Sequence, residues 1–304
     1  MAEPPALPVE ANRPEAPPPE ENIALAALYQ LVGSAMLVTL ASFVKLAGDE
    51  CTPMQAVLYR SLFSIPPLLL ALGRRGVSPL STRWRLLTLR GLAGTAALFC
   101  YFFTIAHVEL ANALALQQLA PIFVGFLSIG LLHEHPRASH WLLALVCLVG
   151  ALLIARPTRG VISLPALVGL LSAFFSSLAY VGVRALTSSE PTPRIVLWFS
   201  AIATAVALPI TLPTWRWPSL RANALLIAAG LLAAPSQGAM TAAYRRAPAH
   251  VAAAFSYANV PLAYLSGLLI WGERPDSLAH LGIALIVVGG VVLVISLQRH
   301  PRRR

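Results

Sequence analysis

Between residues 23 and 297 the sequence is a succession of apolar stretches, most about 20 residues long, parted by short breaks that carry arginine or proline. A helix needs about 20 residues to cross the roughly 30 Å hydrocarbon core of a bilayer. Lipid offers no hydrogen bonds, so a spanning segment has to satisfy its own main chain, which a helix does. Barrel strands would be shorter and would alternate apolar with polar residues. The pattern predicts ten transmembrane helices near 23–46, 54–72, 84–107, 110–132, 138–155, 162–185, 194–213, 221–244, 249–271 and 277–297, an all-α integral membrane fold. Composition agrees: 57% of the residues are hydrophobic and 11% charged, with a mean hydropathy of +0.72, against about 25% charged in soluble chains.

Basic residues fix the expected orientation. Fourteen lie on the side of the N-terminus, Arg74, Arg75, Arg137, Arg184, Arg245 and Arg246 among them, and six on the other side. Both termini are therefore expected in the cytoplasm. The net charge of +10 does not point to nucleic acid, because the arginines punctuate apolar spans and form no face. Arg302 to Arg304 read as partners of anionic lipid headgroups. Residues 1–22 hold seven prolines and five glutamates; such a segment cannot bury enough apolar area to offset its ordering entropy and reads as a disordered tail. It lacks the basic start and apolar core of a secretory signal. Cys51, Cys100 and Cys147 are too scattered for a disulfide framework or a thiolate site and read as small buried apolar residues.

The chain repeats itself. "ELANALALQQLAPIF" (109–123) aligns with "AHVAAAFSYANVPLA" (249–263) at an offset of 140, and "LLHEHP" (131–136) with "IWGERP" (270–275) near 139. The second match pairs Glu134 with Glu273 and Pro136 with Pro275. "SFVKLA" meets "YVGVRA", pairing Lys45 with Arg184, and "AVLYRS" meets "IVLWFS", pairing Tyr59 with Trp198. Each copy spans five helices; five is odd, so the second copy runs upside down. Inverted repeats are the architecture of secondary transporters, whose solute site lies near the midplane between the halves. The expected divisions are 1–22 tail, 23–157 first repeat, 158–298 second repeat and 299–304 basic tail.

With its five-plus-five helices, the "ANALALQQLAPIF…HEHP" and "VAAAFSYANVPLAY…GERP" segments and a "YRSLF" near the start of the second span, the chain is similar to EamA-type members of the drug/metabolite transporter superfamily over about residues 23 to 297. The resemblance implies a multi-pass carrier of the bacterial inner membrane that moves small metabolites by alternating access, without a cofactor. Substrates in that family include amino acids, nucleoside-like compounds and vitamins. Phe199 stands where the first copy has Arg60, so any role of that arginine belongs to one half.

Pro121 and Pro261 fall inside apolar spans. Proline cannot donate to a helical ladder, so Pro121 deprives the carbonyl of Gln117 of its partner and Pro261 does the same to Tyr257. Polar side chains cluster there: Gln117 and Gln118 in one copy, Tyr257 and Asn259 in the other. These faces are expected to line a central cavity; the alternative is that the prolines kink the helices for packing and the amides bridge helices. Gln237 and Ser236, mid-span, have the same two readings. Tyr101, with Phe102 and Phe103, is a candidate to stack on a planar solute or a packing stripe. Arg60 and Arg90 lie inside spans, either snorkelling to headgroups or, for Arg60, gripping a substrate carboxylate in forked geometry. Lys45 and Arg184 end helices, where a cation complements the dipole. His133, Glu134 and His135 lack metal-site spacing. His107 and His250 sit at loop edges, and nothing in the sequence marks either as a switch.

No acid lies mid-span; Asp49 and Asp276 are in loops. A carrier of multiply charged cations would place an acid inside, so the solute is expected to be zwitterionic, neutral or anionic. Export of amino acids or related compounds is the first reading. Import of a nucleoside-derived cofactor or vitamin, such as S-adenosylmethionine or riboflavin, is the second. A membrane-embedded transferase would need clustered acids or an acid/base pair, which the sequence does not offer; the expected partners are a small solute and lipid, with oligomeric state open.

Overall fold

The computed structural model describes residues 21–107, 113, 116–155, 164–272 and 277–299. Within them the chain is helical, with no strand. In chain order the helices are α1 (Ile23–Ala47), α2 (Pro53–Leu62), α3 (Ile65–Gly73), α4 (Trp84–His107), α5 (Ala120–Leu132), α6 (Ala138–Ala155), α7 (Leu164–Leu186), α8 (Thr192–Thr211), α9 (Leu220–Arg246), α10 (Ala249–Ala254), α11 (Asn259–Trp271) and α12 (Ser277–Arg299). Seven helical stretches among the described residues are long and apolar enough to cross a membrane, and α5 and α6 are shorter apolar helices. The tail expected over residues 1–22, apart from Glu21 and Asn22, lies outside the described residues, as do Glu109, Glu273, Pro275, Asp276 and Arg302 to Arg304.

Helix starts carry their signals in the sequence. The side chains of Asn22, Thr52 and Ser219 accept from the amides of Leu25 (2.9 Å), Gln55 (3.2 Å) and Ala222 (3.2 Å), capping α1, α2 and α9. Prolines then decide where spans break. The stretch expected to be continuous over 54–72 is divided at Phe63 and Ser64, because Pro66 and Pro67 donate nothing to the carbonyls a turn earlier. Pro121 does not kink a long helix at its middle: the chain turns at Gln118 and Leu119 and α5 begins at Ala120, so the proline sits in a first turn, where a missing N–H costs little. Around Pro261 the same thing happens. A 3-10 segment, Phe255–Ala258, separates α10 from α11, and Pro261 is the third residue of α11.

The repeat is visible in local geometry as well. α5 ends on His133 with φ 54° and α11 on Gly272 with φ 67°, left-handed caps 139 positions apart. Packing follows the same shift, which carries α1 onto α7, α2 onto α8, α4 onto α9, α5 onto α11 and α6 onto α12. The broadest contacts are α1 with α9 and α4 with α7, and these exchange under the shift; so do α5 with α7 and α11 with α1. The pairs α2 with α8 and α6 with α12 map onto themselves. A two-fold axis threading those two pairs generates this pattern. At the α6–α12 crossing, a Cβ on Gly150 would sit 2.7 Å from the carbonyl oxygen of Gly282, so only glycine allows the approach.

Hydrogen bonds gather the loops at two ends. At one, Asn22 N donates to the carbonyl of Arg246 (3.0 Å), Arg194 Nε to that of Ser78 (2.9 Å) and Trp198 Nε1 to that of Pro79 (3.0 Å). At the other, Gln55 Nε2 donates to the carbonyl of Arg216 (2.8 Å), Tyr59 Oη meets Asn223 Oδ1 (2.6 Å) and Ser219 N donates to Glu50 (2.6 Å). Leu293 shares a buried cluster with Ala26, Leu186 and Ala249, so α12 finishes at the end where α1 starts.

Candidate functional site

Where α2 meets α8, beside the self-paired axis, a small recess of about 10 Å³, room for a single water-sized group, is lined by Arg60, Ser61 and Ser64, by Phe199 and Ser200, and by Ala233 and Gln237 of α9. Arg60 and Phe199 are one repeat apart, as are Ser61 and Ser200, so pseudo-equivalent residues face one another here. The α2–α3 break is what turns Ser64 inward: its hydroxyl reaches the Ser61 carbonyl oxygen (2.8 Å) and the Ser200 hydroxyl (2.7 Å). Close helix approach keeps the recess small, since a Cβ on Gly230 would lie 2.6 Å from the Tyr59 carbonyl oxygen.

Cations dominate its electrostatics. Arg90 of α4 is 4% exposed, so protein and not headgroups surrounds it, and the snorkelling alternative fails for this residue. Its guanidinium lies 4.3 Å over the ring of Phe199, whose other surroundings include the recess. Nε and Nη1 of Arg90 have no hydrogen-bond partner. The titratable groups that act on Arg90 are Arg60 and the half-buried Tyr180 of α7, and no acid among the described residues neutralises either arginine. A buried charge without a partner is costly. The arrangement suits an incoming anion, which would meet the guanidinium of Arg60, several hydroxyls and an amide, with the charge of Arg90 held against the Phe199 ring.

Of the residues singled out from sequence, Arg60 and Gln237 come together in this recess. Ser236 does not join them: it is fully buried and its hydroxyl donates to the carbonyl of Gly33 (2.9 Å), fastening α9 to α1. Gln117 is bound to α7, its Nε2 donating to Ser176 (3.0 Å) and its Oε1 accepting from Ser172 (3.0 Å). Tyr257 is fully buried among Cys147, Leu148, Ala151 and Ile286 of the α6–α12 seam, with its hydroxyl unpartnered. Beside the two proline breaks, Nε2 of Gln118 and Oδ1 of Asn259 are buried and unpartnered too. Tyr101 is half-buried on α4, and its neighbour Phe103 is exposed and stacked on His107 (4.2 Å). Sequence reasoning left Arg90 without a role, although a lone mid-span arginine was itself the signal.

The EamA-like transporter family pattern matches the chain twice, over residues 24–156 and 163–295. The pseudopaline exporter CntI of Pseudomonas aeruginosa is 36% identical over 274 residues, 86% of this chain and 96% of that protein. A riboflavin transporter of Vibrio cholerae is 28% identical over 261 residues, 84% of this chain and 87% of that one. A crystal structure of another protein superposes with a TM-score of 0.79 over 92% of this chain and 99% of that chain; at 20% identity it speaks for the fold alone.

Proposed function

Because the chain belongs to the EamA-like transporter family, we propose that it exports a small carboxylate-bearing metabolite of the amino-acid class, gripped at the α2–α8 recess. It is a multi-pass protein of the bacterial inner membrane, and its similarity is to transporters, not enzymes. The proposed arrangement is ten spans in two inverted repeats, divided near residues 157 and 158, with the end that gathers Asn22, Glu134, Arg184 and Arg246 facing the cytoplasm. Helix partners that exchange or persist under the 139-residue shift support that reading.

The observation that carries the substrate class is the buried guanidinium of Arg90, two of its nitrogens unpartnered, with Arg60 beside it and no acid among the described residues near either. Arg60 and Gln237 are assigned to the solute directly. Gln118 and Asn259, with buried free polar atoms at the two helix breaks, are assigned to its path, while Ser236 and Gln117 hold helices together. Export follows the direction of the most similar relative reported above, which is named as an exporter. Uptake of a planar, nucleoside-derived cofactor is the second reading; the riboflavin transporter similarity and the ring of Phe199 favour it.

Proteoliposomes loaded with radiolabelled amino and dicarboxylic acids separate the two. Efflux of carboxylate solutes is expected, falling at least tenfold in Arg60→Gln, because one charge-assisted bond is worth about 1.5–3 kcal/mol. Efflux unchanged in Arg60→Gln would remove the residue from the site, and accumulation of external riboflavin with no carboxylate flux would sink the export reading.

A further inference from the structure

Far from the recess, at the end where α1 begins, a second polar constellation is closed over by protein. The carboxylate of Glu134, in the loop after α5, is nearly buried and accepts from the amide of Ala249 (2.7 Å) and from Nε of Arg184 (3.1 Å). Arg184 also donates to the carbonyl of Tyr244 (3.0 Å) and pairs with Glu21 (3.1 Å). Nδ1 of His250, at the start of α10, lies 3.3 Å from Glu134 Oε2, and its Nε2 lies 3.1 Å from Nδ1 of His140 on α6. Both imidazoles are buried, at 7% and 8% exposure, and stack at 5.1 Å.

The hydrogen-bond partners favour one proton count over the other. Nδ1 of His140 faces the backbone N–H of Arg137 (3.3 Å), which can only donate, so this nitrogen is an acceptor. Nε2 of His250 must then carry a proton and donate to it. Nδ1 of the same ring faces a carboxylate oxygen, which is favourable only if Nδ1 carries a proton as well. Glu134 does not supply that proton. Its burial resists ionisation, but the bonds from His250 and Ala249 and the charge of Arg184 outweigh it and hold the carboxyl below its usual range. The charged and titratable groups around the ring are Glu134 after α5, His140 on α6, Arg184 on α7, Tyr244 on α9, and Glu21 through Arg184. With His250 as imidazolium these charges sum to zero, and without it to one negative charge.

We propose that closure of this end takes up one proton on His250, which locks Glu134 of the first repeat to α7 and α10 of the second, and that opening releases it. Under the repeat, Glu134 corresponds to Glu273 and Arg184 to Lys45, but His250 corresponds to Leu110. The imidazole that faces the acid therefore has no counterpart in the other copy, although His140 has one in His280. Sequence showed no such device because Glu134, Arg184 and His250 are 50 to 116 positions apart and meet only in the fold. The inference rests on the carrier reading for what opening accomplishes.

The test is a distance measurement that needs no identified solute. Spin labels at Ser139 and Ser188, exposed residues after the Glu134 loop and after α7, are placed in the full chain with Cys51, Cys100 and Cys147 changed to Ala. Pulsed dipolar spectroscopy in nanodiscs then follows the distribution from pH 5.5 to 8.5. Release of one proton on opening makes the closed-to-open ratio fall by up to tenfold per pH unit. That fall is expected in this background and in the exposed control His133→Asn, and it should vanish in His250→Gln. His140→Leu, which removes the acceptor, should flatten it as well and decides the matter if His250→Gln does not fold. Two populations that ignore pH, or a pH response that survives both variants, would overturn the latch while leaving the carrier reading intact. A single population at every pH would count against both.

Discussion

Arg90→Met separates a residue that holds the fold from one held ready for a ligand. The guanidinium of Arg90 is almost wholly removed from water, with two nitrogens unpartnered. An uncompensated buried ion costs several kcal/mol, and its contact with the Phe199 ring at 4.3 Å returns about 2 kcal/mol. Methionine fills much of the same volume without the charge, so the empty variant should gain about 1–3 kcal/mol, a rise of about 2–5 °C in the unfolding midpoint at this chain length. The same change removes one of the two positive charges beside the recess, so solute affinity should fall about tenfold, the equivalent of about 1.4 kcal/mol. Tryptophan fluorescence during heating of the purified protein, with and without a transported acid, reads both quantities. A midpoint that drops in Arg90→Met, or an unchanged shift with solute, would falsify the reasoning: the arginine would then be a strut.

Three further outcomes are expected. Gly150→Val places its Cβ against the Gly282 carbonyl and should cost at least 1–3 kcal/mol, seen as lost monodisperse protein in size-exclusion chromatography; a normal yield would show that the α6–α12 seam can yield. Ser219→Ala removes the α9 cap and its bonds to Glu50 and should cost about 1 kcal/mol by thermal melting, with efflux kept. Glu134 ionises more readily folded than unfolded, so its contribution is full above the ordinary carboxylate range and fades as pH falls through the lowered folded value. Glu134→Gln should flatten that acid limb of a midpoint-against-pH curve; an acid limb of wild-type slope would refute the ion-pair assignment.

Much of the fold was legible because lipid leaves a chain few options: each apolar stretch had to be helical, and the offset near 139 told which stretches correspond. Prolines were legible as breaks, but only the structure shows that Pro121 and Pro261 begin helices instead of bending them, since whether the chain turns before a proline depends on what fills the gap. The site was harder to read. A repeat matches like with like and is silent about which unlike helices touch, so Arg90 over the Phe199 ring and Glu134 against His250 were invisible. Ser236 and Gln117 drew attention as mid-span polar groups, yet each satisfies itself on a neighbouring helix. Polarity alone did not distinguish a fastening from a free hand.

A point near a two-fold axis ordinarily sees every neighbour in duplicate. Here it sees a cation from one strand of history and a benzene ring from the other, Arg60 against Phe199. A guest seated there has one handedness of fit. In the proposed carrier, inner and outer faces would present it with unequal grip, so half-saturating concentrations measured from the two compartments should differ even with no driving gradient.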